Sequence, residues 1–223
     1  MPALNPAETR CPPPAPAAHE SLARARREAR RMMREEGLLA PAWAFRIHPV
    51  RAIRGNDVEL GGTRLHAPAL ASLFPCVTSV AAAACTLGPA LEARVASLFA
   101  SRQRVSGEHA RVMAIALDEL ASERLFRLCD QLHARIARAA KREGLRAGLP
   151  EHPGDPGVAL DVQAEVLALA GIEPGAITAN SSGMLRPVKS LSFLTALGAG
   201  LAHRDSTPRC ARCASRERCS LKK

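Results

Sequence analysis

The chain has 223 residues, 47% of them hydrophobic but only 3% aromatic, with one Trp and no Tyr, so its core is built from Ala, Leu, Val and Ile and no site in it uses a tyrosine. The net charge of +10 comes from 27 Arg and 4 Lys against 21 acids; the last 20 residues alone supply +5, which argues against a phosphate-binding surface spread over the whole body. No apolar run reaches the roughly 18 to 20 residues of a membrane helix and the N-terminus lacks a signal-peptide layout, so a cytoplasmic chain is expected, whose seven cysteines stay reduced for metal binding or burial.

Residues 1–18 hold Pro2, Pro6, Pro12, Pro13, Pro14 and Pro16 among alanines and are expected to form a disordered leader. Residues 19–202 follow as one domain and residues 203–223 as a basic, Cys-rich tail. Ser21 to Gly37 is rich in Arg and Glu and reads as a solvated helix with charge pairs four residues apart, closed by a glycine cap. Trp43 to Val50 and Asp57 to His66 alternate as strands do, with Gly61-Gly62 where a two-residue hairpin turn belongs. Val77 to Thr86 is a small-residue apolar strand, and Gly88-Pro89 turns it into a helix marked by Leu91, Val95, Leu98 and Phe99.

The clearest period runs from Gly107 to Gly144. There Leu125, Leu128, Leu132, Ile136 and Ala139 make one face and Glu123, Arg127, Arg138 and Arg142 the other, as in a long helix with a buried stripe. Pro150, Pro153 and Pro156 then predict an irregular loop over Gly148 to Gly157. Val158 to Ala170 reads as helix, Gly171 to Gly175 as turn, Ala176 to Asn180 as the entry to a strand, and Lys189 to Leu201 as a strand up to its glycines.

Two segments concentrate chemistry. Cys210, Cys213 and Cys219 are spaced Cys-x2-Cys-x5-Cys, and the two-residue gap lets two thiolates meet one ion from a single turn, as zinc or an iron–sulfur cluster requires. His203 would complete a set of four ligands, as would Cys76, Cys85 or Cys129 if folded nearby; the apolar neighbours of those three also suit small core residues. The segment Asn180 to Ser192 gathers an amide, hydroxyls and Lys189 between two apolar runs. It is either a grip for a charged ligand or a turn whose polar groups satisfy the local backbone. His152 and Asp155 are a candidate acid/base pair without a visible nucleophile, and no phosphate-binding, dinucleotide or nucleophile-elbow motif occurs.

Asn180, Ser182, Pro187, Lys189, Ser190 and Ser192 match an Asn-Asp-Ser…Pro-x-Lys-Ser-Val-Ser segment, with Ser181 in place of the acid and Leu191 in place of the Val. Thr86-Leu87-Gly88-Pro89 with Leu91-Glu92 looks like a Thr-x-Gly-Pro-x-Leu-Glu motif, and Leu117-Asp118 lies on the long helix. On these residues, from about 45 to 219, the chain resembles stand-alone relatives of the activation domain of cobalamin-dependent methionine synthase, which tend to end in a Cys cluster. The resemblance implies an α+β fold with helices, one of them long, packed on a twisted antiparallel sheet, which the strands, long helix and loops above fit. It implies S-adenosylmethionine binding, with Asn180, Ser182, Lys189, Ser190 and Asp155 as the matching contact positions, and cobalamin carried by a partner methyltransferase in methionine biosynthesis. The domain positions a methyl donor while the partner's inactive cobalamin is reduced and remethylated, so it is part of a methyltransferase system rather than a self-sufficient catalyst.

The ligand loop of that family reads Arg-x-x-x-Gly-Tyr. Here its Arg position falls on Gly148 and its Gly-Tyr on His152-Pro153; Arg146 stands two residues out of register, and only Gly154 and Asp155 keep the look of the loop. Two other readings follow from the tail: a metal or iron–sulfur redox accessory protein of a corrinoid system, and a basic adaptor for nucleic acid.

Overall fold

The computed structural model describes residues 16–100, 104–201 and 217. Helix α1 (Pro16–Glu35) begins three residues inside the segment expected to be a leader. It is not the solvated helix its charges suggest: Ala25, Ala29 and Met33, four residues apart, are buried and form one seam. Small residues there let α1 lie close against the long helix, and Arg26 locks the pair by reaching Glu119 at 2.9 Å and Glu123 beside it. Of the expected pairs four residues apart, Arg31–Glu35 is present at 3.7 Å on the exposed face.

Strand β1 (Ala42–Arg54) turns at Gly55-Asn56 into β2 (Asp57–Leu60), and β2 turns into β3 (Thr63–His66). The expected hairpin is present: Gly61 and Gly62 have φ of 57° and 83°, the double positive φ of a tight turn that suits the twist of the flanking strands. A short helix, α2 (Pro68–Ala71), leads to β4 (Ser79–Thr86), α3 (Ala90–Ala100) and α4 (Arg104–Arg142). At 39 residues, α4 is about 58 Å long at 1.5 Å per residue. Leu117, Ala121, Leu125, Leu132, Ile136 and Ala140 are buried along it, and Cys129 lies on the same stripe.

The proline-rich segment departs from expectation. Residues Arg146–Glu151 form strand β5 although Pro150 lies within it. The tolerance has a physical cause: the sheet order is β3-β2-β1-β4-β8-β5, so β5 is an edge strand, where a missing N–H costs least, and its pairing is irregular between Ala147 and Pro150. A 3-10 turn over Leu160–Val162 then runs into α5 (Gln163–Ala170), and the two-residue strands β6 (Thr178–Ala179) and β7 (Leu185–Arg186) pair with each other before β8 (Ser190–Gly198).

All neighbouring strands of the six-stranded sheet are antiparallel, and each face is covered. Ala81, Ala83, Cys85, Phe193 and Leu197 pack under α1, α3 and α4. Val80, Ala82, Ala84, Leu194 and Ala196 pack under α2, α5 and the β2–β3 hairpin. Strand β4 is therefore alanine-rich because two layers close on it, leaving no room for larger side chains on either side. No helix of the described residues is long and apolar enough to cross a membrane.

Candidate functional site

The residues that carry the sequence motifs are far apart in the chain and close in space. Ser190 Oγ donates to the Pro187 carbonyl at 2.7 Å and lies 2.8 Å from Thr86 Oγ1, which in turn accepts from the Gly88 N–H at 3.1 Å. Glu92, in the first turn of α3, accepts from the Val188 N–H at 2.8 Å and from Arg186 at 2.7 Å. Lys189 Nζ lies 2.8 Å from Asp118 Oδ1 and donates to Ser122 Oγ at 3.0 Å, both on α4. Its side chain is only 13% exposed. Lys189 and Ser190 thus lie side by side at the head of β8, with their polar atoms engaged inside the protein.

Asn180 and Ser182 come together in a different place, the turn between β6 and β7. Asn180 Oδ1 accepts from the Ser182 N–H at 3.0 Å, the Ser182 hydroxyl at 2.9 Å and the Met184 N–H at 2.9 Å. One side chain thus supplies the turn with its acceptors. Asp155 forms a third location: its carboxylate accepts from the backbone N–H of His152 at 3.2 Å. That contact runs to the backbone of His152, whose ring Nδ1 donates to the Ser192 carbonyl at 2.8 Å and whose ring packs 5.6 Å from that of Phe193. Gln163, buried at the start of α5, donates to Ser192 Oγ at 2.7 Å. Ser192 is therefore the point where the strand, the proline-rich loop and α5 meet.

Two depressions flank that loop. The smaller, about 290 Å³, lies between Leu160, Asp161 and Gln163 on one side and Asn180 to Gly183 on the other. The larger, about 380 Å³, opens at the β5 edge and has Leu70, Leu73, Leu149, Pro156 and Ala196 as apolar walls, with Glu151 and Ser72 as its polar side chains. Its frame is fixed by short contacts. His133 of α4 donates through Nε2 to the Gly148 carbonyl at 2.9 Å. The Ala69 N–H donates to the Gly157 carbonyl at 3.0 Å, and a Cβ on Gly157 would fall 2.3 Å from that of Ala69, so only glycine lets the loop touch α2. Arg146 donates to the carbonyl of Leu201, a residue of the cleft wall, at 3.3 Å.

Glu151, Ser72 and Leu73 were not singled out by sequence reasoning. Four-residue α2 has no periodic signal, and Glu151 sits in a segment read as loop. Arg146, out of register in the sequence, does not line the cleft; its guanidinium donates to the carbonyl of Leu201, which does. His203, Cys210, Cys213 and Cys219 lie outside the described residues, and among the described ones no group of three or more His, Cys, Asp or Glu is placed to hold a metal ion.

The architecture has a solved counterpart. It is similar to the crystal structure of the MetH reactivation domain bound to AdoHcy, with a TM-score of 0.61 over 84% of this chain and 68% of that one. The two share a fold. Sequence identity is 16%, and no family profile and no curated protein matches the chain. The mixed fold, its antiparallel sheet and its long helix, expected from the motif residues, are thereby established for this chain.

Proposed function

We propose that the chain is a reactivation-type accessory domain that holds an S-adenosyl ligand in the 380 Å³ cleft and presents it to a cytoplasmic corrinoid methyltransferase. The observation that carries this reading is the coincidence of two independent facts. The fold matches that of a domain bound to AdoHcy, and Gly148, Leu149 and Glu151, from the segment corresponding to the ligand loop, line the larger cleft.

The residues fit such a ligand. The volume falls in the range of about 300–1,000 Å³ usual for small-molecule sites, and the walls formed by Leu70, Leu73, Leu149 and Pro156 suit the faces of an adenine. A carboxylate such as Glu151 is a usual partner for ribose hydroxyls, as in dinucleotide sites. Arg146, bonded to the carbonyl of the cleft residue Leu201, is the nearby cation proposed for an amino-acid carboxylate, which the Gly148 position lacks. Asn180, Ser182, Lys189, Ser190 and Asp155 then act by shaping the loops around the ligand rather than by touching it. The methyl donor brings the chemistry; the protein binds it, orients it and keeps its reacting end accessible to a partner.

Calorimetric titration of the full chain with S-adenosylmethionine and S-adenosylhomocysteine tests the reading. Arg146→Ala and Glu151→Gln should each weaken binding by about tenfold or more, the scale of one charge-assisted hydrogen bond. Absence of heat at millimolar ligand from the unmodified protein sinks the proposal.

A further inference from the structure

The smaller depression, about 290 Å³, shares no wall residue with the larger cleft and has a polarity opposite to that of the chain. The chain carries a net charge of +10, yet no Lys, Arg or His lines this space. Its one charged wall residue is Asp161, which is exposed and makes no hydrogen bond or ion pair among the described residues. Gln163, also in the wall, is only 4% exposed. Its Nε2 is committed to Ser192 Oγ at 2.7 Å, and Oε1 has no partner among the described residues. A buried amide oxygen costs free energy until a donor reaches it. Ser182 Oγ has spent its hydrogen on Asn180 Oδ1 at 2.9 Å, so it too can only accept.

Internal contacts fix the walls. Asn180 Oδ1 gathers the N–H groups of Ser182 and Met184, and Gly183, at a φ of 76°, lets this turn close on the 3-10 turn. A Cβ at Gly183 would fall 2.8 Å from Leu160 Cγ. Leu160, Ala164 and Ala179 add apolar area. A single carboxylate is too little for a divalent metal ion, which takes several charged oxygens. An alkylammonium fits the set: N–H donors for Asp161, Gln163 Oε1 and Ser182 Oγ, and a hydrocarbon stem for the apolar wall. We propose that this depression is a second ligand site, which takes a small primary amine in its ammonium form. The site stands independently of the reading of the larger cleft.

Proton–nitrogen correlation NMR of the full chain, titrated with n-butylammonium chloride at constant ionic strength, gives the test. The backbone amides of residues 160–164 and 179–183 and the side-chain amide of Gln163 should shift together and saturate, with a dissociation constant on the order of millimolar for so small a ligand. 1-Butanol has the same stem without the charge, and tetramethylammonium has the charge without an N–H; each should bind about tenfold more weakly or worse. Asp161 is exposed and free of contacts, so Asp161→Asn leaves the fold intact and should weaken the amine about fivefold, the scale of an exposed ion pair. Equal shifts with 1-butanol, or an unchanged affinity in Asp161→Asn, would reduce the site to an apolar crevice and overturn the proposal. Saturation by acetate in place of the amine would reverse its polarity and overturn it too, as would shifts that miss these residues or never saturate.

Discussion

Lys189 shows that a residue's chemical type does not say where its polar atoms are engaged. One of only four lysines, in a polar stretch between apolar runs, it has the marks of a charged-ligand contact. In the fold its ammonium is spent on Asp118 and Ser122, and it ties the head of β8 to the middle of α4. Lys189→Met keeps the length of the side chain and removes the charge, leaving the half-exposed Asp118 without its partner. It should lower unfolding free energy by about 1–2 kcal/mol in urea titrations, the cost of losing a partly buried charged hydrogen bond. Adenosyl-ligand affinity should change by less than about threefold, since 0.6 kcal/mol or so is all that indirect loosening of a loop would pass on. A large affinity loss with normal stability would instead make Lys189 a direct contact. The sequence revealed that Asn180 to Ser192 is polar and unusual. It did not reveal where those atoms are spent, because their partners lie 67 residues away for Ser122 and 104 for Thr86, and only the fold brings them together.

Among the elements, the long helix, the glycine hairpin and strands β4 and β8 were legible because each repeats one simple pattern over many residues. Two elements are hidden in the sequence for opposite reasons. In α1 a strongly charged composition hid a seam of small residues, since Ala25 and Ala29 look neutral until a neighbouring helix covers them. In β5 the prolines read as a loop, although at a sheet edge Pro150 removes little. The seam of α1 gives a sharp prediction. Ala29→Glu would force a carboxylate into a fully buried position with no cation designed for it, at a cost of about 3 kcal/mol. Since about 2–4 °C is lost per kcal/mol in a domain of this size, the melting temperature should fall by about 6–12 °C, read by circular dichroism. The Arg26 anchor beside it does not add a pH dependence near neutrality. Its hydrogen bond to Glu123, opposed by some desolvation, raises the guanidinium above its ordinary range, so its contribution is complete below that range and lost only in stronger alkali.

Taken as a whole molecule, the sheet is a rigid platform covered on both faces, and the cleft lies at its β5 edge, where α2, the proline-rich loop and the exit of β8 converge. A ligand seated there touches three separate stretches of chain at once, so it should stabilise the entire fold, not one loop. At a hundred times its dissociation constant the stabilisation is about 2.7 kcal/mol, which corresponds to a rise of about 5–11 °C in melting temperature. S-adenosylhomocysteine should produce that rise in the full chain. Gly157→Val should abolish it, because any Cβ at that position collides with Ala69 and lifts the loop from α2. The near-isosteric Glu151→Gln, which leaves the backbone undisturbed, should give a smaller rise than the unmodified protein at the same ligand concentration. A rise produced equally by unrelated nucleotides or by RNA, and erased by 0.2 M salt or so, would belong to the basic tail and its phosphate contacts instead. A rise that is specific for the adenosyl amino acid and keeps most of its size in salt would place the ligand on the sheet edge, where apolar walls and short-range contacts to Glu151 and Arg146 hold it and screening acts less than on the tail's dispersed charges.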